Sequence, residues 1–259
     1  MALQIGRAFQ DGIDEFLSER GAVFAGAFIV LGLANGIIWA SLSQGLLDMF
    51  LEMLPPSAQA NQAAMGSNTA LALDIPVAVA AVAALALFVV SEALNIVAIR
   101  AFASDPADPV PDNVSRRLGK TVAVAIGAGV FTAIAVGAGI LLLVIPGLVL
   151  ALLFFFVRQE IALNDSGVFE SISNSISIVT DNLLATFVLA IVLAVLGLVV
   201  GLVFSYLPVS LPPMVLTTAS TILSSVVGVF SIAVTTVAYL QATESDHDVA
   251  RETESLGGL

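Results

Sequence analysis

Apolar residues fill this sequence in long blocks, and the few polar points between the blocks predict its elements. The most informative stretch is GILLLVIPGLVLALLFFFVRQEIALNDSGVFESISNSISIVTDN, residues 139–182. No charged residue falls within 121–157, and as one helix that segment would be about 55 Å long at ~1.5 Å per residue. A hydrocarbon core is only ~30 Å thick, so the chain must fold back. Pro146 removes a helix hydrogen bond and Gly147 permits a reversal of the backbone, which makes the IPG step the predicted turn. Span three then covers 121–145 and a short span four covers 148–163, with Arg158 and Glu160 in its second half.

The same pattern places the other spans at 22–46, 75–99, 183–204 and 214–240. Gly32/Gly36 and Gly197/Gly201 stand four apart and predict grooves where a second backbone can approach. Two further segments carry a single apolar stripe on a polar helix, the pattern of a helix lying in a membrane interface. In 1–20 the stripe is Ile5, Phe9, Ile13 and Phe16/Leu17. In 166–181 it is Val168, Ile172, Ile176 and Val179, with Ser171, Asn174, Ser177 and Asp181 opposite and Asp165 or Ser166 as the cap. The acidic tail, 243–259, lacks apolar content and is expected to be disordered. The predicted organisation is therefore an interfacial helix (1–20), a six-helix transmembrane domain (21–242) and a tail.

Composition agrees with this class. The chain has 59% hydrophobic and 11% charged residues and a mean hydropathy of +1.06, against about 45–50% and about 25% in soluble domains. Unbroken apolar runs argue for an all-α polytopic bundle and against a barrel, whose strands alternate. With both termini in the cytoplasm, all eight Lys and Arg residues fall inside or at the inner ends of spans, the positive-inside pattern. The plasma membrane is the expected location. The segments 1–99 and 166–240 are either a parallel repeat of the kind seen in transporters or alike through composition alone.

Charge and chemistry narrow the function. A net charge of −12 on so little water-exposed surface is the habit of proteins in concentrated salt, and a haloarchaeal source is expected. No basic face exists for nucleic acid. There is no Cys, and the only His, His247, lies in the tail beside Asp246 and Asp248 without fixed geometry, so no metal or other cofactor is expected. Ser171, Ser173, Ser175 and Ser177 have no His or Lys base nearby to make a nucleophile, and no catalytic residue is assigned.

The candidate polar cluster is Glu92, Asn95, Arg158, Glu160 and Asn35. An unpaired ion inside a membrane costs ~2.5 kcal/mol or more, so Arg158 is expected to pair with Glu92 or Glu160. The pair serves helix register, or else forms a site for an ion or an anionic headgroup. Asn35 and Asn95 are read as hydrogen-bond glue between helices.

The quoted run, through its IPG turn, short aromatic span, RQEIALND step and GVFESISNS helix, resembles the multi-pass membrane domain that precedes the catalytic domain in some bacterial glycerophosphodiester phosphodiesterases. It is similar also to stand-alone archaeal and bacterial membrane proteins of unknown function related to that domain. The resemblance implies a membrane helix bundle, with the phosphodiesterase chemistry in a separate domain that these residues do not include. Basic residues usual in the last helix of that family are Ser and Asn here. The expectation is a non-enzymatic plasma-membrane protein that is structural, partner-binding or lipid-interacting, with membrane lipids and a second copy or another membrane protein as partners. The alternative is a small transporter or channel around Glu92 and Arg158.

Overall fold

The computed structural model describes residues 3–54, 71–104, 112–206 and 212–257. In chain order these form α1 (Ile5–Leu17), α2 (Glu19–Glu52), α3 (Val77–Phe102), a single 3-10 turn (Asp112–Ser115), α4 (Leu118–Leu142), α5 (Val144–Leu153), α6 (Val157–Asn164), α7 (Val168–Asp181), α8 (Leu183–Tyr206) and α9 (Pro213–Gly257). No strand occurs among the described residues. Six segments are long and apolar enough to cross a membrane, namely α2, α3, α4, the α5–α6 pair, α8 and α9 up to Glu244. Ser57 and residues 207–211 of the predicted outer turn lie outside the described residues.

The reversal between spans three and four is not at Pro146-Gly147. Helix α4 ends at Leu142, Leu143 alone is extended (φ −157°, ψ 129°), and α5 begins at Val144. Pro146 therefore sits in the first turn of α5, where its missing N–H has no intrahelical acceptor to lose. Gly147 acts through size. A Cβ on it would lie 2.5 Å from Ile140 N, and one on Gly139 would lie 2.8 Å from Gly147 Cα. Two glycines facing each other bring α4 and α5 nearly into backbone contact just below the hairpin, while Leu141, Leu142, Leu143, Val144 and Ile145 at its tip are exposed.

Span four is also broken, into α5 and α6, at residues 154–156. The break leaves backbone groups that no helix satisfies, and Ser175 on α7 supplies partners: its Oγ accepts from Phe156 N (3.2 Å) and donates to Leu153 O (2.8 Å). This corrects the expected facing of α7. Ser171 and Ser175 are fully buried beside Ile172, Ile178 and Val179, because small hydroxyl residues let α7 come close to the broken span. The cap is Gly167, whose N–H donates to Glu170 Oε2 at 3.2 Å. Asp165 and Ser166 are engaged elsewhere. Helix α9 continues through the tail expected to be disordered, as far as Gly257. No Pro or Gly interrupts it between Gly228 and Gly257, and an established helix propagates at little cost through Ala, Glu and Arg.

The chain divides into two compact units. The first comprises residues 1–25, 92–197 and 227–259. Its core has two apolar clusters, one around Phe156, Val179, Leu189, Val234 and Tyr239, the other around Ile96, Ile99, Val122, Ala128 and Ile161. Helix α1 packs on α9 through Ala8 and Gly12 rather than through the whole predicted stripe. A Cβ on Gly12 would lie 2.8 Å from Val234 Cα, Phe9 and Phe16 flank Phe230, and Ile13 and Leu17 remain exposed. The second unit comprises 26–91 and 198–226. There Gly32 admits Ser225 and Thr221, Gly45 admits Val77, and a Cβ on Gly36 or Gly201 would meet nothing within 4 Å among the described residues. Ser41 Oγ accepts from Leu73 N at 2.8 Å.

Candidate functional site

The polar side chains of the first unit gather into three centres. Arg158, one residue into α6, donates through Nη2 to Glu92 Oε1 on α3 at 2.9 Å. The acid is turned inward and the base outward, with side-chain exposures of 10% and 48%. The second carboxylate oxygen of Glu92 is buried without a partner among the described residues. Beside Arg158 is a cavity of about 210 Å³, whose walls include Ala128, Gly129 and Thr132 of α4, Phe154 at the break, and Ile161.

Glu160 belongs to a different centre. It lies on α6 with 3% exposure and accepts from Asn174 Nδ2 (2.7 Å), Asn164 Nδ2 (3.0 Å), Ser166 Oγ (3.0 Å) and the hydroxyl of Tyr239. Asn164 Nδ2 also donates to Tyr239 Oη at 2.8 Å. One carboxylate thereby ties α6, α7 and α9 together with neutral donors. A second cavity, of about 370 Å³, opens beside it between Asn174, Ser177, Tyr239 and Thr243. Each of these bonds to Glu160 comes from an N–H or O–H, so the shell suits a charged carboxylate.

The third centre is Arg100, at the end of α3. Its guanidinium donates to the carbonyls of Ala162 (2.7 Å), Val114 (2.9 Å) and Arg116 (2.6 Å), to Thr121 Oγ1 (3.1 Å) and to Asp165 Oδ1 (2.8 Å). Asp165 adopts a left-handed conformation (φ 54°) and its other oxygen pairs with Arg116 at 3.1 Å. This planar five-donor fork is suited to such a junction, since it satisfies several carbonyls without needing a counter-ion at each. Nearby, Arg20 donates to the carbonyls of Ala101 and Ser104 and pairs with Glu15 at 3.6 Å. Burial holds the Glu15 carboxyl above its ordinary range, and Arg20 pulls it back only in part.

Of the five residues predicted to form one cluster, the structure joins Glu92 with Arg158. Glu160 bonds to neither. Asn95 is half-buried three residues along α3 from Glu92, and Asn35 lies in the second unit, 3.4 Å from Ser91 Oγ. Sequence reasoning did not single out Tyr239, Asn164 or Arg100, and named Asp165 only as a possible helix cap, not as the partner of Arg100. The signals existed: Asn164 is four residues after Glu160, one helical turn, and Tyr239 is one of two tyrosines in the chain. Arg100 was visible as a charge at the end of a span, but its acceptors are mostly carbonyls, which leave no trace in a sequence.

Apolar helices of spanning length, with charges held in a few hydrogen-bonded centres, define a multi-pass helical membrane protein. The chain belongs to the family DUF7847, a domain of unknown function, which matches residues 3–242. No curated protein and no solved structure matches it. The family match carries no link to glycerophosphodiester phosphodiesterases.

Proposed function

We propose that this protein is a non-enzymatic scaffold of the plasma membrane, with both termini in the cytoplasm, which holds lipids and a second copy or another membrane protein. The observation that carries the reading is the saturation of two buried charges, Arg100 and Glu160. Arg100 and Glu160 spend their hydrogen bonds on tying helices together, which is what a rigid frame requires and what a moving ion path would avoid. The hydroxyls of Ser171, Ser175 and Tyr239 are likewise engaged within the protein. Orientation is supported by charge. All eight Lys and Arg residues lie in the first unit, whereas the second has Asp48, Glu52 and Asp74 and no basic residue. The net charge of −12 supports a source living in concentrated salt.

Glu160→Gln is expected to destabilise the purified protein by about 1–3 kcal/mol, because the new amide sets its own N–H groups against donors that had faced an acceptor. The melting midpoint in detergent measures it. Reconstituted vesicles test the scaffold itself. No ion flux above that of empty vesicles is expected, and a flux abolished by Arg158→Gln would establish the transporter reading, which the cavity beside Arg158 favours. Topology is separately testable because the chain lacks Cys. Ser173→Cys, on the exposed face of α7, is expected to react with an impermeant thiol reagent only from the cytoplasmic side, and Ser57→Cys only from outside; the reverse pattern would invert the orientation.

A further inference from the structure

We propose that the cavity beside Arg158 is a binding site for an anionic phospholipid, with the phosphate on the guanidinium and a hydrocarbon chain along α4. This rests on the scaffold reading and adds a ligand to it. A guanidinium has five N–H donors, and among the described residues the only hydrogen-bond partner of Arg158 is Glu92, through Nη2. Its other N–H groups make no hydrogen bond among the described residues, and the side chain is half exposed. In a spanning segment such donors are costly to leave bare. Because Glu92 is turned inward, the charge that the surface displays is positive.

The walls specify the rest of the ligand. Arg158 is six residues from the end of α6 at Asn164, about 9 Å along a helix, within reach of a headgroup layer for a long basic side chain. From there the cavity is lined by Ala125, Ala128 and Gly129 of α4 and by Phe154 and Ile161. A Cβ on Gly129 would meet nothing within 4 Å, so the groove there is open. A cation beside walls made mostly of alanine, glycine, phenylalanine and isoleucine is complementary to a phosphate whose glycerol carries hydrocarbon chains, whereas free phosphate would leave those walls unused. The other two centres do not offer this, since Arg100 and Glu160 are already saturated.

The test uses the full chain in detergent, with phosphatidylglycerol, phosphatidylcholine or inorganic phosphate added, reading melting midpoint and lipid retained in native mass spectra. Phosphatidylglycerol is expected to raise the midpoint and to be retained, with phosphatidylcholine and inorganic phosphate doing less. Arg158→Gln is expected to weaken retention about tenfold, the loss of one charge-assisted hydrogen-bonded contact. Because that variant also breaks the pair with Glu92, Gly129→Leu provides a second arm. It fills the groove, leaves the pair intact, and is expected to lose the lipid while melting as the wild type does without lipid. Equal stabilisation by inorganic phosphate, no preference for phosphatidylglycerol, or wild-type retention in Gly129→Leu would each overturn the site. The scaffold reading would survive any of these results, because the flux and Glu160→Gln measurements test it independently.

Discussion

Arg100→Ala is expected to cost about 3–5 kcal/mol, the range for removing one partner of a buried, hydrogen-bonded ion. The side chain is 7% exposed and holds three carbonyls, one hydroxyl and one carboxylate from three separate stretches of chain. Its removal leaves the carbonyls of Ala162 and Val114 without their side-chain donor and takes away the buried partner of Asp165. Arg100→Lys should recover little, since an ammonium has three donors on a point and cannot span the fork's acceptors. The midpoint of unfolding in detergent measures both variants. An Arg100→Ala protein as stable as wild type would show that this centre is not what joins α3 to the start of α4 and the end of α6.

Gly147→Ala is expected to destabilise by about 1–3 kcal/mol, the usual cost of forcing extra volume into a packed site. The added methyl would lie 2.5 Å from Ile140 N and 2.9 Å from Ile140 Cα. Backbone cannot rotate aside as a side chain can, so α4 and α5 must separate. Gly137→Ala is the control, because a Cβ there meets nothing within 4 Å. It is expected to be neutral or to stabilise by up to about 1 kcal/mol through helix propensity. Unfolding midpoints of the two variants side by side distinguish close packing from a general intolerance of substitution in the hairpin.

Much of the architecture could be read from the sequence because a bilayer imposes lengths. An uncharged run too long for one crossing must reverse, and the reversal was placed within a few residues of Leu143. Its mechanism was misread because Pro and Gly are turn formers by propensity, while here Pro146 begins a helix and Gly147 answers the absence of a side chain on Gly139. The break at residues 154–156 was invisible, since FFF is as apolar as the helices on either side. The facing of α7 was missed for a related reason. Periodicity counts Ser as polar, yet Ser171 and Ser175 are buried because a small hydroxyl can both pack and serve a neighbouring backbone. At the candidate site, Glu92 and Arg158 could be paired because each is costly alone in a membrane. Glu160 was grouped with them by the same logic, but uncharged amide and hydroxyl donors stabilise it instead, and such donors are too common to be recognised singly.

The break in span four has a consequence for the order in which the chain is made. A ribosome delivers Leu153 and Phe156 well before Ser175, the residue whose hydroxyl serves both of their backbone groups. Until that serine arrives, a fourth crossing placed in oil carries a bare carbonyl and a bare amide. The crossing is therefore expected to stay provisional at the insertion machinery and to commit itself when the downstream helix docks. Truncating the nascent chain before Ser175 should leave span four extractable, and lengthening it past Asp181 should make insertion permanent.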